Sequence, residues 1–279
     1  MANDKLIITK TNDGYVVELF AKAKSDIRNG IEELAEGISL LEPKKNQTEE
    51  EQFSLYKEIV EKIDEKPVII KTFEKGKDTT LLKIQLRAIL RAAKYGDLSI
   101  AFPKISSLLD LKELKNILEE CKNELDNENV EYRHHIKIGS IIEIPSSALM
   151  SYEIASECDF LFIETNSLTN YTFGTAQNSS QIQEFQIAII RLIRLASKGA
   201  HDAGIFCGIC GELVENELYI PLLIGLGIDE FSMEADNISN IRKLINELDR
   251  SDCKELAEEV LQMRAIEEIE NKLKQFLRN

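Results

Sequence analysis

A cysteine and a glutamate two residues apart, in Cys210-Gly-Glu212, close the short apolar segment Gly204-Ile-Phe-Cys-Gly-Ile-Cys210. The run Glu217–Gly227 that follows has helix length, and a second apolar segment, Ile228-Asp-Glu-Phe-Ser-Met233, comes after it. This is a strand–helix–strand pattern. Chemistry in parallel sheets gathers where strands end, so Cys210 and Glu212 are expected at the mouth of such a sheet. A thiol there can deliver a proton if its pKa is tuned, and a packed thiol is the structural alternative. Cys207 and Cys210 have the spacing of a C-x-x-C pair, but a redox pair opens a helix. Phe206–Ile209 reads as strand, in which residues three apart face opposite sides. No second pair and no nearby histidine completes a metal set, so Cys207 is expected in the core.

The elements that must present this mouth can be read in chain order. Strands are expected at 15–21, 37–41, 67–71, 98–102, 136–144 and 159–164, followed by the two segments above; Pro43, Pro103 and Pro145 act as stops. Helices are expected at 25–37, 49–64, 81–95, 107–123, 146–158 and 182–203. The second of these opens on the capping box Thr48-Glu-Glu-Glu51. The third shows Leu82, Leu86, Ile89, Leu90 and Ala93 along one face. Thr165–Ser180 reads as a long polar loop, and helices within 238–279 close the chain. Eight strands alternating with helices over about 240 residues predict one α/β domain spanning 1–279, a TIM-type (β/α)8 barrel with extra C-terminal helices.

The composition limits the partners. A net charge of −15 over 279 residues offers no basic face for nucleic acid or an anionic membrane surface. No apolar run reaches the roughly 20 residues of a membrane span, and Met1–Tyr15 has no signal-peptide core, so a cytoplasmic protein is expected. Five cysteines, an odd number, suit reduced thiols.

Several stretches, in order, carry a family pattern: Thr48-Glu-Glu-Glu-Gln-Phe53, Gln85-Leu-Arg-Ala-Ile-Leu-Arg-Ala92, Phe102-Pro103, Glu143-Ile-Pro145, Thr165-Asn166 with Leu168-Thr169 and Tyr171-Thr172, Cys210-Gly-Glu-Leu213 and Gly227-Ile-Asp-Glu-Phe-Ser-Met233. Together they resemble the C-terminal phosphoenolpyruvate-binding barrel of enzyme I of the bacterial sugar phosphotransferase system, the phosphoenolpyruvate–protein phosphotransferase. The resemblance implies a magnesium-dependent barrel that passes phosphoryl to a histidine on a separate domain. It also implies a homodimer. It makes Glu143 a magnesium carboxylate, Asn166 a phosphate contact and Cys210 the acid that protonates the enolate carbon. Lys71, Ser167 and Glu212 join Asn166 as candidate substrate-binding residues.

The departures from the pattern are specific. The family's Thr-Asn-Asp-Leu is Thr165-Asn166-Ser167-Leu168, which removes one metal carboxylate and weakens the expected Mg2+ site. Glu42 stands where the family has an arginine, Lys71 stands for another, and Ala176-Gln177 for an Asp-Arg pair; the Asn-Pro-x-Leu-Gly-x-Arg segment is missing near Gly76–Leu82. Among these positions only Lys71 keeps a positive charge. A lysine does not reproduce the bidentate grip of a guanidinium on a compact anion. The phosphoryl-accepting Gly-x-Thr-Ser-His domain is absent from this sequence, and His134, His135 and His201 are read as surface or capping residues. The expectation is therefore a catalytically impaired binding or regulatory module for a phosphoenolpyruvate-like small molecule, able to pair with itself or with a genuine enzyme I. Two alternatives remain: a phosphotransferase working with a separate histidine domain, and a barrel enzyme for another pyruvate-like oxyacid. A structural reading of Cys210-Gly-Glu212 and Asp229-Glu-Phe231 also stands, in which the carboxylates fix loop amides.

Overall fold

The computed structural model describes the backbone of residues 18–25 and 31–41, and residues 47–62, 66–76, 78–174, 186–233 and 235–278. Two strands, β1 (Glu18–Ser25) and β2 (Ile31–Leu41), pair antiparallel, with Leu19 opposite Ile38 and Phe20 opposite Gly37. Next come α1 (Glu49–Lys62), β3 (Val68–Lys71), α2 (Thr80–Ala92), β4 (Leu98–Phe102), α3 (Leu108–Asn127) and β5 (Lys137–Ile142). The short helices α4 (Pro145–Leu149) and α5 (Ser151–Ala155) lead to β6 (Phe160–Glu164), α6 (Thr165–Phe173), α7 (Ile187–Asp202) and β7 (Phe206–Cys210). Two 3-10 turns precede α8 (Ile220–Gly225) and β8 (Glu230–Met233). The helices α9 (Ala235–Glu247), α10 (Arg250–Gln262) and α11 (Ile266–Phe276) follow.

The α/β core is the parallel run β3 to β8, each strand paired with the next, as in Ile70 with Ile100 and Ile163 with Ile209. β2 joins it parallel to β3. β1 lies antiparallel to both β2 and β8, so the strand order runs in a ring from β1 to β8. This departs from the expected barrel of eight βα units in the first unit: of the helix placed at 25–37, Ser25 and residues 31–37 are strand, and 26–30 lie outside the described residues. Ile31, Leu34, Ala35 and Ile38 have helical spacing, but the ladder to β1 satisfies their backbone instead, as tertiary pairing overrides a local pattern.

Other boundaries also moved. The expected 146–158 helix is two short ones meeting at Met150, and the run 217–227 begins as a 3-10 turn before α8. The presumed loop 165–180 is helical as far as Phe173 and ends on Gly174 in the left-handed region (φ 65); 175–180 lie outside the described residues. The capping box holds, with Thr48 N–H donating to Glu51 Oε2 (2.8 Å) and Glu51 N–H donating to Thr48 Oγ1 (3.3 Å).

Strand alternation divides the buried residues into two groups. Outward residues such as Ile70, Ile100, Phe102, Ile142, Ile163, Cys207, Ile209 and Phe231 pack beneath the helices. Inward residues Ile69, Ala101, Ile141, Phe160, Phe162 and Cys210 form a smaller apolar cluster, joined by Phe206. Cys207 and Cys210 thus face opposite sides of β7, as their spacing requires. Gly139 and Gly208 make room for the inner rings: a Cβ on Gly139 would lie 2.1 Å from Phe160, and one on Gly208 would lie 2.2 Å from Phe162. Phe160 and Phe206 stack with ring centroids 5.5 Å apart.

Candidate functional site

Above this apolar floor, the inward positions at the strand ends carry polar groups: Lys71 on β3, Glu143 just past β5, Glu164 on β6 and Cys210 on β7. Glu143 is 1% exposed. Its Oε1 lies 3.1 Å from Lys71 Nζ, and its Oε2 accepts a 2.8 Å hydrogen bond from the Lys104 backbone N–H. Burial pushes the Glu143 carboxyl above the ordinary carboxylate range, and Glu164 adds to this; the Lys71 ammonium and the Lys104 N–H oppose it. Two loops are shaped around the pair. The fully buried Gln85 donates through Nε2 to the Lys71 carbonyl (3.1 Å) and accepts from Phe73 N–H (2.7 Å). Lys104 adopts φ 53, a left-handed backbone rare for lysine, which directs its N–H at the carboxylate, while its Nζ pairs with Glu74 at 2.5 Å.

Glu164 serves the next element. Its two oxygens accept from Asn166 N–H (3.0 Å) and Ser167 N–H (2.9 Å), which makes it the N-cap of α6. With this cap, and with Thr165, Leu168 and Thr169 buried, the polar run expected as a loop is helical as far as Phe173. Asn166 Oδ1 accepts from Glu212 N–H (3.2 Å), and the Thr165 hydroxyl donates to the Cys210 carbonyl (3.1 Å). These bonds lock α6 to the turn after β7. The turn depends on Gly211, at φ 107, where a Cβ would meet Thr165 Oγ1 at 2.3 Å. The Cys210 thiol is buried and lies 3.5 Å from the Ile163 carbonyl.

The structure therefore joins Lys71 to Glu143 directly, and joins Asn166 to Glu212 through the backbone of Glu212, whose side chain is exposed. Ser167 contributes its amide to Glu164. Glu42 and Ala176-Gln177 lie outside the described residues. Gln85, Lys104 and Glu164 were not singled out as site residues from the sequence. Gln85 lay inside a quoted motif, Glu164 at a strand end and Lys104 directly after Phe102-Pro103, but no residue type there announces its role.

A magnesium ion needs oxygen ligands in near-octahedral array, usually with one or two carboxylates. The donor set present does not fit it. Glu143 is held between an ammonium and an amide, Glu164 is committed to two helix amides, and among the described residues no group of three His, Cys, Asp or Glu converges.

At the opposite end of the strands, Asp229 Oδ2 accepts from Cys207 N–H (3.0 Å) and lies 2.7 Å from His201 Nε2. A cavity of about 720 Å³ bounded by Arg194, His201, Gly227, Arg250, Lys254 and Glu258 opens beside this pair. Arg194 is answered there by Glu258 at 3.1 Å. Asp229 thus ties the segment before β8 to α7 and β7; the amide it holds belongs to a strand, where the structural reading expected a loop amide. No helix among the described residues is long and apolar enough to cross a membrane.

Comparison with known proteins gives a family. Residues 77–250 match the model of the phosphoenolpyruvate-utilising enzyme, PEP-binding domain. Phosphoenolpyruvate-protein phosphotransferases from Staphylococcus carnosus and Bacillus subtilis are each 34% identical, over 96% and 94% of this chain and 54% and 53% of their own lengths. The chain spans about half the length of the curated relatives it matches. Among solved structures, a citrate lyase from Burkholderia xenovorans aligns with TM-score 0.56 at 15% identity, over 74% of this chain and 67% of that one. The protein CitE of Mycobacterium tuberculosis aligns at 0.52 and 14%, over 77% and 86%. These two likenesses concern the fold alone.

Proposed function

Since this chain belongs to the phosphoenolpyruvate-utilising enzymes through their phosphoenolpyruvate-binding domain, we propose that it is a divergent phosphotransferase-type barrel that binds a pyruvate-like oxyacid and does not itself transfer phosphoryl. We read the ring as a (β/α)8 barrel whose first βα unit has become a strand hairpin. Its place is the cytoplasm, and its partner in solution is a second copy or a full-length phosphotransferase.

One observation carries the reading. Lys71 is the single cation kept among the positions that resemble the family's phosphate-binding set, and it lies 3.1 Å from Glu143. A phosphoryl group entering there would compete with a buried carboxylate for that ammonium. Each unlike pair at about 4 Å is worth on the order of 4 kcal/mol at an effective dielectric of 20, while a tenfold change in affinity needs only ~1.4 kcal/mol. The remaining groups suit an uncharged or singly charged end of a ligand: the Ser167 hydroxyl, the Asn166 amide and the Cys210 thiol as candidate acid.

Calorimetric titration with phosphoenolpyruvate and with pyruvate tests this. Pyruvate is expected to bind, and phosphoenolpyruvate to bind weakly whether or not magnesium is present. Tight, magnesium-dependent phosphoenolpyruvate binding would overturn the proposal. The second reading, a phosphotransferase using a separate histidine domain, is favoured by the retention of Glu143, Asn166 and Cys210 at one mouth. It predicts phosphorylation of an added histidine domain from a relative.

A further inference from the structure

The Glu143 carboxylate is too deeply buried to stand without compensation, because an unpaired charge in such a place is strongly destabilising. Both of its oxygens are met from inside the chain, by Lys71 Nζ at 3.1 Å and by the Lys104 N–H at 2.8 Å. The arrangement is built from behind. Gln85 clamps the carbonyl of Lys71 and the amide of Phe73, and Gln85 is itself backed by the Tyr56 hydroxyl at 3.3 Å. Thr72 N–H donates to the Ala101 carbonyl (3.0 Å), so the strand end carrying Lys71 is fixed on its other edge. Lys104 accepts a left-handed backbone for its share.

The neighbouring oxygen donors are also in use. Glu164 holds the amides of Asn166 and Ser167, and Asn166 Oδ1 holds the Glu212 amide. A divalent ion on Glu143 would sit against the Lys71 ammonium, and one on Glu164 would draw on the oxygens that cap α6.

We infer that the Lys71 ammonium is the resident cation of this mouth, standing in for a divalent metal at Glu143, so that the mouth takes its ligand without metal. The class of ligand follows from the charge. With one ammonium already matched to one carboxylate and a second carboxylate nearby, the mouth suits small keto or dicarboxylic acids of one or two negative charges, such as pyruvate or oxalate, over a more highly charged phosphate ester. This ligand class rests on the oxyacid reading proposed above; the resident cation does not.

The test titrates oxalate and pyruvate into the wild-type chain in EDTA and in excess Mg2+, and reads free Mn2+ by electron paramagnetic resonance with and without protein. The dissociation constant for oxalate is expected to change less than about twofold between EDTA and Mg2+, and the free Mn2+ signal to be unaffected by the wild-type chain. Lys71→Met is expected to weaken oxalate about tenfold or more in EDTA and to take up Mn2+ on the unmasked Glu143, while Lys71→Arg keeps wild-type metal independence. Tightening of oxalate by about tenfold with Mg2+ in the wild type, or stoichiometric Mn2+ uptake by it, overturns the inference. If neither acid binds under any condition, the oxyacid reading and the ligand class both fail, and the wild-type Mn2+ signal still decides the resident cation on its own. The wild-type measurements also hold if Lys71→Met does not fold.

Discussion

Two carboxylates at opposite ends of the strands are built alike and differ in what surrounds them. Glu143 takes a backbone N–H from Lys104 and an ammonium from Lys71; Asp229 takes a backbone N–H from Cys207 and the His201 ring. Asp229 sits where loops enter the strands, is partly open to water, and has Arg250 3.9 Å away as a further neighbour. Glu143 sits where strands end, is sealed, and has another carboxylate close enough to disturb it. The same device therefore pins a loop at one end and conditions a mouth at the other. The difference comes from burial, from like charge and from the second partner, an ammonium at one end and an imidazole ring at the other.

The largest effect should come from removing the cation at the sealed end. Lys71→Met leaves Glu143 without its ammonium, and at neutral pH should cost on the order of 3 kcal/mol of stability in a urea unfolding curve. The sign with pH is set by the upward shift of Glu143. Below the ordinary carboxylate range the group is neutral in both folded and unfolded chains. As pH rises through that range the unfolded chain ionises first, so stability falls until the raised folded value is passed. In Lys71→Met that fall should be deeper and reach further toward neutral pH; a flat profile would contradict the comparison. Adding Glu143→Gln to Lys71→Met should recover much of the loss.

Next in size is Gly211→Ala, which places a Cβ in the left-handed region and against Thr165 Oγ1. It should cost about 2 kcal/mol and reduce ligand affinity at the mouth. At the other end, Asp229→Asn weakens the acceptor for the Cys207 amide and should cost about 1–2 kcal/mol by thermal unfolding, with ligand affinity at the mouth unchanged. The smallest change in stability, about 1 kcal/mol, is expected for Cys210→Ala. Its informative readout is solvent-proton exchange at the methyl of bound pyruvate, which should drop if the thiol is the acid and stay unchanged if the thiol only packs.

Much of the fold was legible because buried strands and amphipathic helices announce themselves. Leu98–Phe102, Phe160–Glu164 and the Leu82/Leu86/Ile89/Leu90 face all fell within a residue or two of their expected places. The β1–β2 hairpin was not legible, because its second strand spaces apolar residues as a helix would and the ladders to β1 and β3 decide otherwise. Helix α6 was hidden for a related reason. Its sequence is rich in Thr and Asn, and it is held by the Glu164 cap one residue upstream together with the burial of Thr165, Leu168 and Thr169. At the mouth, Glu143, Lys71, Asn166 and Cys210 could be chosen from residue type and position. The pairing of Lys71 with Glu143 depends on Gln85 and on the backbone of Lys104, and neither has a signature in sequence.

The interlocked Phe160, Phe162 and Phe206 rings, fitted against Gly139 and Gly208, bear on the mouth above them. They fill the interior beneath the polar strand ends with carbon, so anything held by Lys71, Glu143 and Glu164 would be met by polar groups from one side and by an apolar floor from the other.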